Sequence, residues 1–209
     1  MIGYRSVDKS SETEYIINRS RFIGRCFPVT SEEAALSLLG DIRKKHWDAT
    51  HNCFAYRIGE TASIARFSDD GEPGGTAGMP IMDVLRSKEL TDVLVVVTRY
   101  FGGVLLGAGG LVRAYSRSAA DAVTEAGIVS YVPAKQLSVS MDYSRYGSME
   151  QYIRSAVQVE DVEFMENVTM KVVAAEERLS AFIKDITERS DGRCIPQITG
   201  ESYLRIKEI

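Results

Sequence analysis

The stretch Val93-Leu-Val-Val-Val-Thr-Arg-Tyr-Phe-Gly-Gly-Val-Leu-Leu-Gly-Ala-Gly-Gly-Leu-Val-Arg-Ala-Tyr115 decides the fold. Val93–Thr98 is an unbroken β-branched and aliphatic run, the mark of a strand buried on both faces. A Gly-rich loop follows from Gly102 to Gly110 and includes Gly103, Gly107 and Gly109. Beyond it the chain is Ala-rich and helical to about Ala126, with Leu111, Tyr115, Ala119 and Ala122 on one face. Gly127 suits the position just past the helix end.

A strand covered on both sides needs neighbours, and the flanking segments supply them. Glu14–Asn18, Phe22–Val29, Asn52–Ile58, Ser63–Phe67 and Ile128–Val132 read as strands. Thr30 reads as a helix cap, with Glu33 completing a capping box and Ala35, Leu38, Leu39 and Ile42 on the buried face. A second helix is expected from Thr76 to Glu89, with Pro80 tolerated in its first turn. Residues 1–134 are therefore expected to form an α+β domain, a sheet covered by helices. Residues 135–209 follow a simpler order. A strand over Gln136–Tyr143 precedes a helix carrying Tyr146, Met149 and Ile153. A hairpin around Glu166-Asn167, a helix with Leu179, Phe182 and Ile186, and a strand at Tyr203–Lys207 complete it. This βαββαβ order is the ferredoxin-like arrangement.

The chain has 209 residues, a net charge of −4, 44% hydrophobic and 26% charged residues. That composition excludes disordered and fibrous classes. Neither part is basic: residues 1–134 carry 15 basic and 16 acidic side chains, residues 135–209 carry 10 and 13. No apolar run approaches the roughly 18–20 residues of a membrane helix, and the N-terminus lacks a signal-peptide core. Cys26, Cys53 and Cys194 are odd in number and scattered, which suits reduced thiols. The expectation is a soluble, cytoplasmic protein with no membrane partner. Within the mean acidity lies an asymmetry. No acidic residue occurs between Asp92 and Asp121, yet Arg99, Arg113 and Arg117 do.

Two segments exceed ordinary fold needs. Arg66-Phe-Ser-Asp-Asp-Gly-Glu-Pro-Gly-Gly-Thr-Ala-Gly-Met-Pro80 packs the carboxylates Asp69, Asp70 and Glu72 ahead of Gly74, Gly75 and a helix start at Thr76. Bare amides at a helix N-terminus bind anions, whereas an Asp or Glu placed there caps the helix; both readings stay open. Hard oxygen ligands could also bind Mg²⁺. The second segment is the Gly-rich one. It lacks the Lys-Ser/Thr of a phosphate-binding P-loop, and Val112 breaks a dinucleotide fingerprint. Arg113 and Arg117 share a helical face and could reach one phosphate backbone, with Tyr100 and Phe101 stacking on bases. Alternatively Arg117 pairs with Asp121 four residues on. His51 and Cys53 project from one face of a strand, but roughly 6–7 Å apart, too far for easy proton transfer; with His46 the only other histidine, a structural role is expected.

These motifs resemble the YigZ/IMPACT family. The resemblance is carried by Ser20-Arg-Phe-Ile-Gly24, Ala49-Thr-His-Asn-Cys-Phe-Ala-Tyr-Arg57, Ser68-Asp-Asp-Gly-Glu-Pro-Gly-Gly-Thr-Ala-Gly78, Arg99-Tyr-Phe-Gly-Gly103 and Leu106-Gly-Ala-Gly-Gly-Leu-Val-Arg-Ala-Tyr115. It implies an N-terminal domain similar to domain IV of elongation factor G and a C-terminal domain similar to its domain V, both ribosome-contacting modules. Eukaryotic members of the family it resembles add a separate partner-binding domain, to which nothing in these residues corresponds, and act in translational control. No catalytic residue, metal or cofactor follows from the resemblance. The leading expectation is a non-enzymatic protein that binds RNA, on the ribosome, and modulates translation. Arg99, Tyr100, Gly102, Gly103, Gly107, Gly109, Gly110, Arg113 and Arg117 would form its surface, and Asp69, Asp70, Glu72, Gly74, Gly75 and Thr76 a second loop. One alternative is a metal-assisted hydrolase or phosphotransferase using the acidic and Gly-rich loops. Another is an interaction module that docks a translation factor.

Overall fold

The computed structural model describes residues 1–208. The chain is α+β and forms two compact units, one over Ile2–Ser130 with the residues from Lys207 onward, the other over Tyr131–Ile206.

The first unit carries β1 (Tyr4–Val7), β2 (Ser11–Ile17), β3 (Ser20–Pro28), α1 (Glu32–Lys45), β4 (His51–Ile58), β5 (Ile64–Ser68), α2 (Gly78–Ser87), β6 (Val93–Tyr100) and α3 (Gly107–Ala126). Five of its strands form an antiparallel sheet in the order β2-β3-β6-β4-β5. The Val93 run lies at its centre, and the strand alternation sorts its side chains. Val93, Val95 and Val97 join the core formed with α2 and α3. Leu94 and Val96 join a second core, with Ala35, Leu39 and Ile42 of α1. The sheet is thus covered on both faces, which is why this strand has no polar side until Thr98.

Three local expectations are corrected. The cap of α1 is Ser31, whose hydroxyl accepts from the Ala34 amide, in place of Thr30. The second helix begins at Gly78 instead of Thr76. The Gly-rich loop ends early, because α3 already includes Gly107, Gly109 and Gly110. Glycine disfavours helix, but the buried stripe Leu111, Ala114, Tyr115 and Ser118 holds this turn against the sheet and overrides the local preference. Gly24 permits that packing. A Cβ there would lie 2.4 Å from the Ser118 carbonyl oxygen of α3.

The second unit is built from β7 (Ile128–Met141), α4 (Tyr143–Ala156), β8 (Gln158–Phe164), β9 (Val168–Ala175), a single 3₁₀ turn, α5 (Leu179–Arg189) and β10 (Gln197–Lys207). Its strands lie in the order β10-β7-β9-β8, the ferredoxin-like order. The strand expected to stop before Pro133 continues through it to Met141. Pairing with β9 starts only at Ala134, so the missing proline N–H costs no bond in that ladder. Leu137, Val139, Met149, Ile153, Met170 and Phe182 are among its core side chains.

Candidate functional site

The two motif-bearing segments meet. Antiparallel pairing of β4 with β6 sets His51 opposite Arg99. The acidic loop then lays Glu72 against both. Arg99 Nη1 donates to Glu72 Oε1 at 2.6 Å, and Glu72 Oε2 lies 3.8 Å from His51 Nε2. The Tyr115 hydroxyl of α3 donates to the same Oε1 at 2.7 Å. Arg99 and Glu72 are buried, their side chains 6% and 2% exposed. The guanidinium carbon stands 5.4 Å from the rings of both Phe22 and Phe101, which shield it from water. Its Nη2 reaches Ser20 Oγ only at 3.5 Å, and its Nε has no acceptor among the described residues.

Arg99, Glu72 and His51 line an open cleft of ≈ 360 Å³ together with Thr50 and the apolar side chains of Pro73, Phe101, Leu105 and Leu106. The first turn of α3 borders it through Gly107 and Ala108. That turn carries no acidic residue and no side-chain cap.

The other two acidic-loop carboxylates are already engaged. Asp69 Oδ1 accepts from the amides of Ala77 at 3.0 Å and Gly78 at 2.8 Å, while Oδ2 accepts from Gly75 at 2.9 Å. The amides that a phosphate would need at this helix start are taken by the chain's own carboxylate, so the capping reading holds here. Asp70 accepts from the Asn52 amide at 2.7 Å and from Arg43 at 2.8 Å. Thr76 is buried, its hydroxyl donating to the Pro73 carbonyl at 2.7 Å. Gly74 and Gly75 are exposed at the loop tip. Among the described residues no three His, Cys, Asp or Glu side chains come together as a metal site.

Burial alone would raise the Asp69 carboxyl, but the three amide donors outweigh it and hold its pKa below the ordinary carboxylate value. A depressed carboxylate contributes stability that is present above the unfolded pKa near 4 and is lost as pH falls through the lower folded value. Asp69→Asn should therefore cost about 1 kcal/mol at pH 7, and the gap to the native chain should narrow below pH 4. Urea unfolding measured between pH 2.5 and 7 checks this; a gap independent of pH contradicts it.

His51 and Cys53 do not act on each other. His51 Nδ1 donates to the Asp70 carbonyl oxygen at 2.8 Å, which leaves Nε2 facing Glu72 Oε2 at 3.8 Å. Cys53 Sγ donates to the Asp69 carbonyl at 3.0 Å, and burial pushes its thiol up to about 12. A thiol so placed is no nucleophile near neutral pH. All three cysteines are free and buried.

Arg113 and Arg117 lie apart from Arg99, in a second groove. That groove, of ≈ 300 Å³, is lined by both arginines, by Leu106 and Gly110, and by Tyr15 and Asn18 from the β2 side. Arg117 stacks over the Tyr15 ring at 4.2 Å and reaches Asp121 at 3.5 Å, so the expected i,i+4 pair is present. Both side chains remain exposed. Tyr100 is placed elsewhere again, its hydroxyl 2.8 Å from His46 Nδ1. Gly103, Gly107 and Gly109 are exposed, and Gly102 lies beneath the strand turn at Arg19. Tyr15 and Asn18 were not legible, since nothing local in β2 marks them; His51 stood out beside Cys53, but its place next to Glu72 and Arg99 did not.

Residues 18–123 match the Impact N-terminal domain, and residues 139–193 match a domain of unknown function, DUF1949. The chain belongs to the IMPACT family. It is 40% identical over 192 residues to the IMPACT family member YvyE of Bacillus subtilis (strain 168), covering 91% of this chain and 88% of that one. It is 35% identical over 136 residues to the IMPACT family member YigZ of Escherichia coli (strain K12), 64% of this chain and 67% of that. Similarity to Protein IMPACT of Xenopus laevis, 37% identity over 94 residues, covers 43% of this chain and 30% of that one. A solved structure described as a hypothetical protein superposes with a TM-score of 0.61 and 27% identity, covering 95% of this chain and 98% of that one.

Proposed function

We propose that this IMPACT-family protein is a non-enzymatic RNA-binding protein that works in the cytoplasm, on the ribosome, and modulates translation. One observation carries the reading: Arg113 and Arg117 stand exposed on one face of α3 and line a single groove with an aromatic ring and polar Asn18 beside them. Two such cations fit successive phosphates of a single strand, and Tyr15 offers a stacking face. No carboxylate other than Asp121 pairs with either arginine among the described residues. The similarity to ribosome-contacting domains of elongation factor G that the family resemblance implies supports the ribosome as the place of binding. No helix among the described residues is long and apolar enough to cross a membrane.

The test is filter binding of the purified chain to ribosomes and to single-stranded RNA at low salt. The native chain should retain both, and Arg113→Ala with Arg117→Ala should weaken both about tenfold or more. Equal retention by the double variant contradicts the proposal. A ribosome interaction that survives nuclease treatment, with no binding to free RNA, would instead assign the surface to a protein partner.

A further inference from the structure

The groove on α3 has a second wall, at the turn between β2 and β3. Pairing of these strands ends at Ile17 opposite Ser20, so Asn18 and Arg19 alone make the connection. Both lie in the left-handed region, with φ of 46° and 63°. A two-residue turn of this kind favours Asn followed by Gly, because glycine takes positive φ at no steric cost. Here the second position is Arg. The backbone beneath it is pinned. A Cβ at Gly102 would lie 2.0 Å from the Arg19 carbonyl carbon, and the Gly102 amide donates to the buried Ser20 Oγ at 3.3 Å. A side chain kept where its backbone is disfavoured, in a turn held from below, points to a role for that side chain.

Charge pairing separates Arg19 from its neighbours. Arg21 pairs with Glu14 at 2.6 Å, Arg25 with Glu12 at 2.7 Å, and Arg117 reaches Asp121 at 3.5 Å. Arg19 and Arg113 are exposed, and neither has a carboxylate partner among the described residues. The two stand on different elements. Arg113 lines the groove from α3, and Arg19 follows directly on Asn18, which lines it from the turn. The backbones of Asn18 and Arg19 are one Cα step, about 3.8 Å, apart. A cation without a partner therefore stands at each side. A groove of ≈ 300 Å³ set between them has room for one strand and none for a duplex.

We infer that the β2–β3 turn is a clamp on the bound strand, in which Arg19 takes a further phosphate from the side opposite α3. A guanidinium suits this place because it stays charged and offers paired donors to phosphate oxygens. Cations on α3 alone hold a strand to a surface; a cation on the facing turn also fixes its path through the groove. The strained turn serves this purpose by keeping the Arg19 backbone in one place, so little order is lost on binding. The inference rests on the RNA-binding reading and adds which residue outside α3 grips the strand.

The test titrates the full chain with a labelled oligouridine over a salt series, beside thermal unfolding of each variant. Arg19→Gly should weaken binding about fivefold or more at low salt and lower the slope of log affinity against log salt by about 0.7, the share of one phosphate contact. Because glycine suits a φ of 63°, the same substitution should not lower the unfolding midpoint. Arg19→Lys keeps the charge and should keep the slope. Arg21→Ala removes an arginine already paired with Glu14 and should leave the slope unchanged. Native affinity and slope in Arg19→Gly overturn the clamp while leaving the α3 groove intact. Equal losses in Arg19→Gly and Arg21→Ala overturn it as well, since net charge alone would then be felt. A lowered midpoint in Arg19→Gly assigns Arg19 to the fold and also overturns the clamp. If the native chain binds no oligouridine at low salt, the RNA reading itself fails and the clamp falls with it.

Discussion

Replacing Glu72 with Ala should destabilise the first unit by about 3–5 kcal/mol, the cost of leaving a buried charge without its partner. The carboxylate is the only acidic group within ion-pair distance of Arg99 among the described residues, and neither side chain can turn to water. Tyr115 would lose its acceptor at the same time, with its hydroxyl buried among Cys53 and the cleft floor. Burial raises the Tyr115 pKa, and that burial persists in the variant, so the phenol does not ionise to relieve Arg99. The midpoint of thermal unfolding should fall by on the order of 10 °C. Glu72→Ala combined with Arg99→Met removes both charges and should recover a large part of the loss, because an ion pair replaced by apolar groups costs far less than an ion pair broken. Calorimetry on the two single variants and the double variant measures the coupling. Additive losses would show that the two side chains do not stabilise each other.

Gly102→Ala is expected to cost at least about 3 kcal/mol, at the upper end of overpacking effects. A Cβ at this position would lie 2.0 Å from the carbonyl carbon and 2.1 Å from the carbonyl oxygen of Arg19. Both are backbone atoms in the turn between β2 and β3, so no side chain can move aside. The Gly102 amide also donates to Ser20 Oγ at 3.3 Å, which ties the same two segments. Displacing them would shift Phe101 and open the cleft. Gly74→Ala is the matched comparison, since a Cβ there meets nothing within 4 Å, and it should change stability by less than about 0.5 kcal/mol. Similar unfolding midpoints for the two variants would refute the packing argument.

The legible part of the fold is the part with a strong period. The Val93 run announced a strand covered on both faces, and the alternation of Val95 and Val97 against Leu94 and Val96 delivers that. The βαββαβ order of the second unit was legible for the same reason. Boundaries set by long-range packing were not. Nothing local tells that three glycines begin α3, because the force that holds them is the contact of Tyr115 and Ala119 with the sheet. The cap of α2 escaped a local pattern as well, since Asp69 reaches it from nine residues before Gly78. At the candidate site, residue types were readable and their grouping was not. Arg99, Arg113 and Arg117 look alike in sequence, but the register of β4 with β6 draws Arg99 to Glu72 and leaves the other two outside. That register depends on pairing across more than forty residues and has no short-range signature.

The measurement that bears most directly on RNA binding is the salt dependence of single-stranded RNA affinity for the native chain and for the Arg113→Ala, Arg117→Ala variant. Each phosphate contact contributes about 0.7 to the slope of log affinity against log salt on a single strand. The native slope should exceed that of the variant by about 1.4, with affinity falling steeply as salt rises. Identical slopes in the two proteins, or affinity indifferent to salt, would contradict a phosphate groove on α3.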